Sequence, residues 1–424
     1  MKIGIIGTGI AGLTAAWLFN RAGHRVTLYE KQHALGMDAH SMTFEQDGAT
    51  LRTDVPPRIF NVTQWPNLTT LYREVGVVFE PIDPSQSFGF SGQPGFLNVD
   101  AAYQPQIPGG PGSSAHLTQI MNDIARFVHG APQDLADGLS DQIPLVDYLQ
   151  HRGYSQAFIC DFLYPTLAST VCTCSYESLD AYPAPVILKA LLNLFGDQPL
   201  LRTTYGTQDV VKRLSRSIED IRYGTVCRAV HPTPAGVRVE TVQGQTDVFD
   251  HLIVATQANQ ALDLLSAPSG TEAQMLNAFS YDNVPIAVHK DPALMPAGKK
   301  DWAHINLIIA RDRRAAMCSV WMNRFNPDWQ IAQPIIQTIT PLSAPHPDTV
   351  IARYNLQRPV VNAQSLAGLE LLQQLHQQAD RQIWFCGSYA AEGIPLLESA
   401  VLSSLRVAKR LQVPLPETFS SIEI

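Results

Sequence analysis

The chain has 424 residues, of which 45% are hydrophobic and 16% charged, and its formal net charge is −8. This length exceeds what one small core supports, so we expect two domains or one large two-part architecture. The acidic balance argues against a nucleic-acid partner, which would need clustered Lys and Arg side chains. The short basic runs Lys299–Lys300 and Arg311–Arg314 are more typical of a solvated face than of a phosphate or lipid-headgroup patch.

The six cysteines show no Cys-x-x-Cys pair and no histidine at metal-ligand spacing, so we predict no metal site. We expect all six to be reduced, as in a cytoplasmic protein. Lys2 leads at once into a strand and a glycine turn, which is not the pattern of a secretory signal. No apolar run reaches the roughly 18 residues that a membrane-spanning helix needs.

The N-terminal region has the pattern of a βαβ unit. Ile3–Ile6 is a short apolar run suited to a buried parallel strand. A glycine turn follows, and Ala11–Ala22 then has the composition of a helix with small residues facing inward. Gly23 ends that helix, and Arg25–Tyr29 is typical of a second strand. This order of elements is the one that begins a dinucleotide-binding domain.

The glycine turn is Gly7-Thr8-Gly9-Ile10-Ala11-Gly12. Gly7 permits a tight turn after the strand, Gly9 lets the backbone approach a pyrophosphate, and Gly12 lets the helix pack closely on the sheet. The free N–H groups at the start of the helix favour phosphate. Glu30 ends the second strand, where a carboxylate binds ribose hydroxyls and repels a 2′-phosphate. The sequence therefore predicts a dinucleotide site that disfavours NADP, and the turn alone leaves FAD and NAD open.

The chain changes character between about Leu71 and Leu200, where it becomes helical and apolar. The strongest helix candidate is Ala184–Phe195, in which Pro185 suits the first turn. A core helix is favoured over a face that lines a substrate site or touches a membrane. Peripheral membrane contact stays open as an alternative.

Strands return after this helical region, and the chain ends on a strand and a helix. We predict strands at Gly224–Val230, Val237–Val242, Val248–Ala255 and Gln382–Cys386, and a last helix at about Pro395–Leu411. One nucleotide-binding domain would then be shared by residues 1–70, 201–270 and 375–424. Two insertions, residues 71–200 and 271–374, would build the second domain. The predicted fold class is therefore α/β.

Two terminal motifs resemble a known family. Gly7–Gly36, together with the C-terminal sequence FCGSYAAEGIPLLESAVLSSLRVAKRL, is similar to the FAD-dependent amine oxidase and phytoene desaturase superfamily. The similarity is closest to bacterial amine-oxidase-like flavoproteins linked to fatty-acid modification, and it includes YEKQHALG, WPNLTTLYREVGV, KDPALMP, WMNRF and WFCGSY. The resemblance implies FAD as the cofactor. It also implies a Rossmann-like FAD-binding domain of the glutathione-reductase and amine-oxidase type, with an inserted α+β substrate domain.

The resemblance also implies which residues hold the cofactor. The turn would bind the pyrophosphate, Glu30 the adenosine ribose, and Val226, in the strand after the central helix, the adenine through its backbone. Ser388 and Leu397 would approach the ribityl chain and the flavin, where the dipole of the last helix favours negative charge on a reduced flavin. The full predicted set is Gly7, Gly9, Ile10, Ala11, Gly12, Glu30, Lys31, Gly36, Met37, Val226, Gly387, Ser388 and Leu397.

Three positions depart from the family pattern at the flavin end. The family usually has Gly-Gly after the ribose acid, whereas this chain has Gly36-Met37. A glycine usually stands two residues after an aspartate, where this chain has Asp54-Val55-Pro56, and proline removes an N–H. Many relatives carry an acid where this chain has Ser388. These departures leave open a protein that binds FAD with altered or reduced chemistry.

No motif identifies a catalytic base. Lys290 falls late in its strand and is more typical of the surface than of a position near the flavin. His40, just after the Gly36-Met37 turn, and His289, placed to point inward, are the two candidates. For both, a structural histidine is the favoured alternative.

We expect the inserted domain to determine which substrate binds. This domain carries few charges between Ala181 and Leu200. A cavity lined in this way would favour an acyl or polyene chain over a polyamine, which would need several carboxylates. We therefore predict an oxidoreductase of the desaturase or double-bond isomerase type that acts on a small hydrophobic lipid or polyene. Two alternatives stay open, namely a flavin amine oxidase that produces hydrogen peroxide and a non-catalytic FAD-binding protein with an altered flavin site.

Overall fold

The computed structural model describes residues 1–99, 105–106, 115–194, 198–420 and 422. The strands of this part of the chain are β1 Lys2–Ile6, β2 Arg25–Tyr29, β3 Met42–Gln46, β4 Ala49–Thr53, β5 Phe79–Pro81, β6 Gln86–Phe90, β7 Gly95–Val99, β8 Pro105–Gln106, β9 Leu201–Thr203, β10 Asp220–Arg222, β11 Cys227–Thr233, β12 Gly236–Thr241, β13 Thr246–Phe249, β14 His251–Val254, β15 Tyr281–His289, β16 Ile305–Ile309, β17 Ala316–Trp321, β18 Ile336–Ile339, β19 Val350–Pro359 and β20 Ile383–Phe385.

The described helices alternate with these strands at both ends of the chain and cluster in its middle. They are α1 Ile10–Arg21, α2 Pro66–Glu74, α3 Ala115–Ala136, α4 Leu145–His151, α5 Gln156–Phe158, α6 Tyr164–Thr166, α7 Tyr176–Asp180, α8 Ala184–Leu194, α9 Gly206–Ser215, α10 Ala258–Leu264, α11 Gly270–Asn277, α12 Met322–Phe325, α13 Ala363–Gln377 and α14 Leu397–Arg410. Phe195, predicted as the end of the helix from Ala184, lies outside the described residues. No described helix is long and apolar enough to cross a membrane.

A five-stranded sheet with the order β10-β2-β1-β14-β20 forms the centre of one of the two halves of the folded structure. All its neighbouring strands pair in parallel. Helices α1 and α14 cover one face, and the three-stranded sheet β11-β12-β13 with helices α10, α11 and α13 covers the other. Burial on both faces explains why β1 and β14 are nearly continuous apolar runs. All five strands fall within residues 1–70, 201–270 and 375–424. The predicted α/β class with a Rossmann-like domain is confirmed.

A second sheet of eight strands has the order β19-β15-β18-β17-β16-β6-β7-β8. Its pairs are antiparallel except for β16 and β6, which run in parallel. These strands come from residues 71–200 and 271–374. The middle helices pack on this sheet through one apolar core that includes Phe88, Phe162 and Leu307. This half of the molecule is therefore a mixed α and β unit beside the parallel sheet.

Helix α13 crosses the boundary predicted at residue 375. It begins at Ala363, and Leu372 and Leu375 join the apolar core around β14, together with Leu252. Gly368 allows this close packing, because a Cβ there would lie 2.7 Å from the Cβ of Ala278. The helix therefore contacts both halves, since Leu366, near its start, packs against the core of the eight-stranded sheet.

The strand predicted at Gly224–Val230 differs in the structure. Gly224 has a φ of 60° and forms a turn, and the strand β11 starts only at Cys227. The Thr225 N–H donates to the Glu30 carbonyl at 2.8 Å, which draws this loop toward β2. Val226 therefore lies in a loop beside Glu30, and the prediction that it lies in a strand was wrong.

Candidate functional site

The turn between β1 and α1 is packed tightly against the protein on one side only. A Cβ on Gly12 would lie 2.0 Å from the Gly7 carbonyl oxygen, so only glycine lets α1 approach the turn this closely. Gly7 has a φ of 95°, which favours glycine. A Cβ on Gly9, in contrast, would meet nothing within 4 Å. The open face at Gly9 is the place where a phosphate group can reach the N–H groups at the start of α1.

Glu30 is buried at the end of β2 and is held by neighbours in the turn. Its carboxylate accepts hydrogen bonds from the Thr8 hydroxyl and from the Gln32 N–H, the latter at 2.8 Å. The Thr8 hydroxyl oxygen in turn accepts from the Gly36 N–H at 2.8 Å. This chain of bonds fixes the carboxylate beside the glycine turn and ties the next loop to it.

That loop contains Gly36-Met37, the first departure from the family pattern. Gly36 has a φ of 54°, and a Cβ there would lie 2.1 Å from the Thr8 carbonyl oxygen, so glycine is required. Residues Gly36–His40 form a short 3-10 helix in which the Met37 side chain is buried. Met37 thus contributes an apolar side chain to the wall of this site.

One cavity of about 320 Å³ brings together residues that are far apart in the sequence. At one end lies the glycine turn with Gly9, and at the other an apolar wall from the eight-stranded sheet. The predicted cofactor residues that line it are Gly9, Ile10, Ala11, Met37, Gly387, Ser388 and Leu397. The remaining lining residues are His40, Pro56, Arg58, Thr173, Ala255, Thr256, Gln257, Tyr281, Val284, Ile286, Ile339, Leu356, Gln357, Arg358, Pro359, Tyr389, Leu396 and Ala400.

The start of helix α14 borders this cavity. Leu396 precedes the helix, and Leu397 and Ala400 lie in its first turn on the cavity side. Leu396 provides no side-chain cap for the helix, so its terminal N–H groups are available to a ligand. The positive end of the helix dipole therefore faces the space between the two halves of the molecule.

Glu398 was not predicted from the sequence, although it lies in the C-terminal motif. Its carboxylate accepts from the N–H groups of Asn67 and Leu68 at 3.0 and 2.8 Å, and from the Asn67 side-chain amide at 2.7 Å. Burial raises the pKa of Glu398, and the hydrogen bonds to Leu68 and Asn67 oppose this shift. The carboxylate thereby joins the first turn of α2 to the first turn of α14 at the edge of the cavity.

Other predicted cofactor residues lie around the cavity without lining it. Gly7, Gly12, Glu30 and Gly36 form the packed side of the turn, as described above. The Lys31 side chain is exposed. Val226 is 42% exposed and follows Thr225, whose N–H donates to the Glu30 carbonyl.

The two candidate bases have different surroundings. His289 is fully buried away from the cavity, where its Nε2 lies 2.8 Å from the Thr338 hydroxyl and its Nδ1 accepts from the Asp291 N–H at 3.1 Å. Burial lowers the pKa of His289 from 6.5 to about 4, opposed by the charge of Asp291. These contacts give the neutral ring a structural role. His40 lines the cavity, and burial together with the Arg58 charge lowers its pKa.

Asp54 holds the segment that contains the second departure, Pro56. The Asp54 carboxylate accepts from the Ser41 hydroxyl at 2.9 Å and from the Thr207 N–H and hydroxyl at 2.9 and 2.7 Å. The Gln337 side-chain amide donates to the Asp54 carbonyl at 2.8 Å. Pro56 therefore lines the cavity in a well-anchored segment, although it cannot donate an N–H to a ligand.

Two polar atoms at the cavity lack partners within the described part of the chain. The Tyr389 hydroxyl and the Arg58 Nε are buried without a hydrogen bond. Buried polar groups in proteins are nearly always paired, so such atoms mark places where a ligand completes the structure. With the open face at Gly9, these atoms fit a dinucleotide cofactor bound along the cavity. In the same part of the chain, no group of three or more His, Cys, Asp or Glu side chains is placed to hold a metal ion.

Comparisons with known proteins agree with this geometry. Residues 5–75 match the model of an NAD(P)-binding Rossmann-like domain. The search of curated proteins gave no significant match. Among solved structures, putrescine oxidase bound to putrescine has a TM-score of 0.68 at 16% identity, covering 98% of this chain and 100% of that one.

Two further solved structures are similar over almost their whole length. A CLA-producing fatty acid isomerase from P. acnes has a TM-score of 0.66 at 15% identity, covering 96% of this chain and 98% of that one. A candidate protoporphyrinogen oxidase from Exiguobacterium sp. 255-15 has a TM-score of 0.65 at 15% identity, covering 97% and 99%. Each of the three alignments covers at least 96% of this chain, so the similarity of fold extends over both of its halves.

Proposed function

Because the chain has the fold of the FAD-dependent amine-oxidase-like superfamily, we propose that it is an FAD-dependent oxidoreductase of the desaturase or double-bond isomerase type, acting on a hydrophobic lipid or polyene. The observation that carries this proposal is the lining of the cavity beyond the glycine turn. Val284, Ile286, Ile339 and Leu356 form an apolar wall there. An acyl or polyene chain would bury its own apolar surface against this wall.

The protein would hold the cofactor with residues that line the cavity or lie beside it. The turn at Gly9 and the start of α1 would bind the pyrophosphate, and Glu30 the adenosine ribose. The start of α14 at Leu397 would lie at the flavin, where its dipole favours negative charge. A bound flavin would supply the two-electron chemistry, and the chain itself supplies position and electrostatics.

His40 is the described side chain best placed to move a proton in this cavity. Its lowered pKa keeps the ring neutral at pH 7, so that one nitrogen can accept a proton. The ring stands edge-on to Tyr354, with ring centroids 6.3 Å apart, which restricts its orientation. We assign His40 as the candidate base and His289 as a structural residue.

A primary-amine substrate suits the cavity less well. None of the described residues that line it is an Asp or a Glu, whereas two of them, Arg58 and Arg358, are arginines. A protonated amine would therefore meet like charges and no carboxylate partner. The amine oxidase alternative is supported by the similarity to putrescine oxidase and opposed by this lining.

The proposal is tested first by the absorption spectrum of the purified protein and then by anaerobic titration. We expect a yellow protein whose flavin is bleached or spectrally perturbed by linoleic acid. Hydrogen peroxide release with putrescine and no response to the lipid would favour the amine oxidase instead. A flavin that binds but responds to neither would support the non-catalytic alternative. A colourless protein that takes up no added FAD would contradict all three.

A further inference from the structure

A row of polar side chains crosses the eight-stranded sheet on the face turned away from the cavity. Leu307, Cys318 and Ile339 lie in register on one face, and Ile339 lines the cavity. Because side chains alternate between the two faces of a sheet, the residues one position earlier in each strand lie on the opposite face or continue its row. The polar row pairs in register across five strands and consists of Asn98, Ser87, Asn306, Ser319 and Thr338.

One end of this row is fully hydrogen-bonded. The Thr338 hydroxyl lies 2.8 Å from His289 Nε2 and 2.8 Å from the Ser319 hydroxyl. The Asn306 amide oxygen accepts from the Ala303 N–H at 2.9 Å, and the amide nitrogen donates to the Ser319 carbonyl at 3.0 Å. These polar side chains are buried and paired, as is usual inside a protein.

The other end of the row has three buried oxygen atoms without a partner. Within the described part of the chain, Ser87 Oγ, Asn98 Oδ1 and Asp301 Oδ2 form no hydrogen bond. Asp301 ends the short 3-10 helix Lys299–Asp301, is only 3% exposed, and forms no ion pair with a described residue. A carboxylate is costly to bury unless a positive charge or hydrogen-bond donors compensate it. This end of the row therefore lacks a group that the three oxygens need.

The three side chains border one small space beside Gly95. A Cβ on this buried glycine would lie 3.0 Å from Ser87 Oγ, 3.4 Å from Asn98 Oδ1 and 3.5 Å from the Asp301 Cβ. The φ of Gly95 is not in the left-handed region, so its backbone conformation does not require glycine. The missing side chain instead leaves a space that a methyl group would fill.

We propose that Ser87, Asn98 and Asp301 bind a hard monovalent cation, Na⁺ or K⁺, in this space. Carboxylate, amide and hydroxyl oxygens are ligands of hard cations, whereas softer transition metals prefer sulfur and nitrogen. The three side chains include a single carboxylate, so one positive charge balances it, whereas Ca²⁺ would leave a net positive charge buried. The site is independent of the proposed flavin chemistry, because it lies on the other face of the sheet from the cavity.

The cation would hold a turn of the chain against the edge of the sheet. The Asp301 N–H donates to the Gly298 carbonyl at 2.9 Å, which closes the turn that carries the carboxylate. Ser87 and Asn98 come from β6 and β7, so a shared cation joins this turn to two strands. A buried water molecule or a proton on Asp301 could also satisfy the oxygens, and either one would make the stability independent of the cation.

The test is the dependence of thermal stability on the cation. The purified protein is unfolded in choline chloride, NaCl, KCl or CaCl₂ at equal ionic strength, and sodium NMR line broadening measures binding directly. We expect Na⁺ or K⁺ to raise Tm by about 2–4 °C in a saturable way, because the ion binds only the folded state. Asp301→Asn should lose this increase. In choline chloride that variant should be at least as stable as wild type, because it removes an uncompensated buried charge.

Gly95→Ala should also lose the increase, because its methyl group occupies the space. Asp328→Asn is the matched control, since Asp328 is an exposed acid in the same half, and it should keep the full increase.

Equal Tm values of the wild-type protein in choline and in both alkali cations would overturn the site, as would an increase that survives in Asp301→Asn. A response to CaCl₂ alone would overturn the monovalent charge. If Asp301→Asn is less stable than wild type by the same amount in every salt, Asp301 acts only as a hydrogen-bond acceptor and the proposal fails. Should a variant not fold, the wild-type salt series and the sodium NMR measurement still decide the question.

Discussion

Glu398 accepts a hydrogen bond from the N–H of Leu68 at 2.8 Å, which joins the first turns of two helices that are 330 residues apart in the chain. The Glu398 carboxylate thus lies at the start of α14 and accepts hydrogen bonds from N–H groups at the start of α2. Leu397, which lines the cavity, directly precedes Glu398, so this bond ties the start of α14 to α2 beside the cavity.

Replacing Glu398 by Ala should destabilise the protein by about 1–3 kcal/mol, because the N–H groups of Asn67 and Leu68 lose their acceptor. Chemical denaturation followed by tryptophan fluorescence measures this change. The control is Glu370→Ala on the exposed face of α13, which should stay within about 0.5 kcal/mol of wild type. Equal effects of the two substitutions would show that the bond between the helices contributes nothing specific.

Gly9→Ala and Gly12→Ala should separate cofactor binding from folding. The Cβ of Ala at residue 9 meets no protein atom within 4 Å, so the apoprotein should keep its stability within about 1 kcal/mol while its flavin content falls. The Cβ at residue 12 would overlap the Gly7 carbonyl, so that variant should lose both stability and flavin. The flavin-to-protein absorbance ratio and the apoprotein Tm are the measurements. Full flavin content in Gly9→Ala would place the pyrophosphate elsewhere.

Asp54→Asn should weaken the hydrogen bonds that hold the segment containing Pro56. The amide would present an N–H group to the donors Ser41 and Thr207, so about 1–3 kcal/mol of stability should be lost. Urea denaturation measures the loss. Asp47→Asn, at an exposed turn whose φ of 52° suits asparagine, should be nearly neutral. A stable Asp54→Asn variant would mean that the segment is positioned by its backbone alone.

His289 should make the protein less stable in mild acid. Its folded pKa of about 4 is below the ordinary value of 6.5, so the unfolded chain takes up this proton first as the pH falls. Above pH 6.5 the effect is absent, and between pH 6.5 and about 4 the free energy of unfolding should fall by about 3 kcal/mol from this group. His289→Gln should show a flatter pH profile in urea denaturation, and the exposed His33→Gln should not. Parallel profiles for all three proteins would contradict this account of His289.

The first βαβ unit was predictable because its signals are local. An apolar strand, three glycines at fixed spacing and a carboxylate after the second strand all act within a few residues of one another. The structure has α1 at Ile10–Arg21, one residue earlier at each end than predicted. The error at Val226 arose because a glycine turn and a hydrogen bond to Glu30 interrupt an otherwise strand-like sequence.

The amino-acid sequence by itself determined the dinucleotide turn and the fold class, since both follow from local spacing and periodicity. Only the tertiary structure decided which charges meet in the cavity. Arg58 and Arg358 are 300 positions apart and belong to no motif, so no pattern in the sequence could bring them together. Their meeting depends on how the eight-stranded sheet packs against the loop after β4, which is a property of long-range contacts between the two halves.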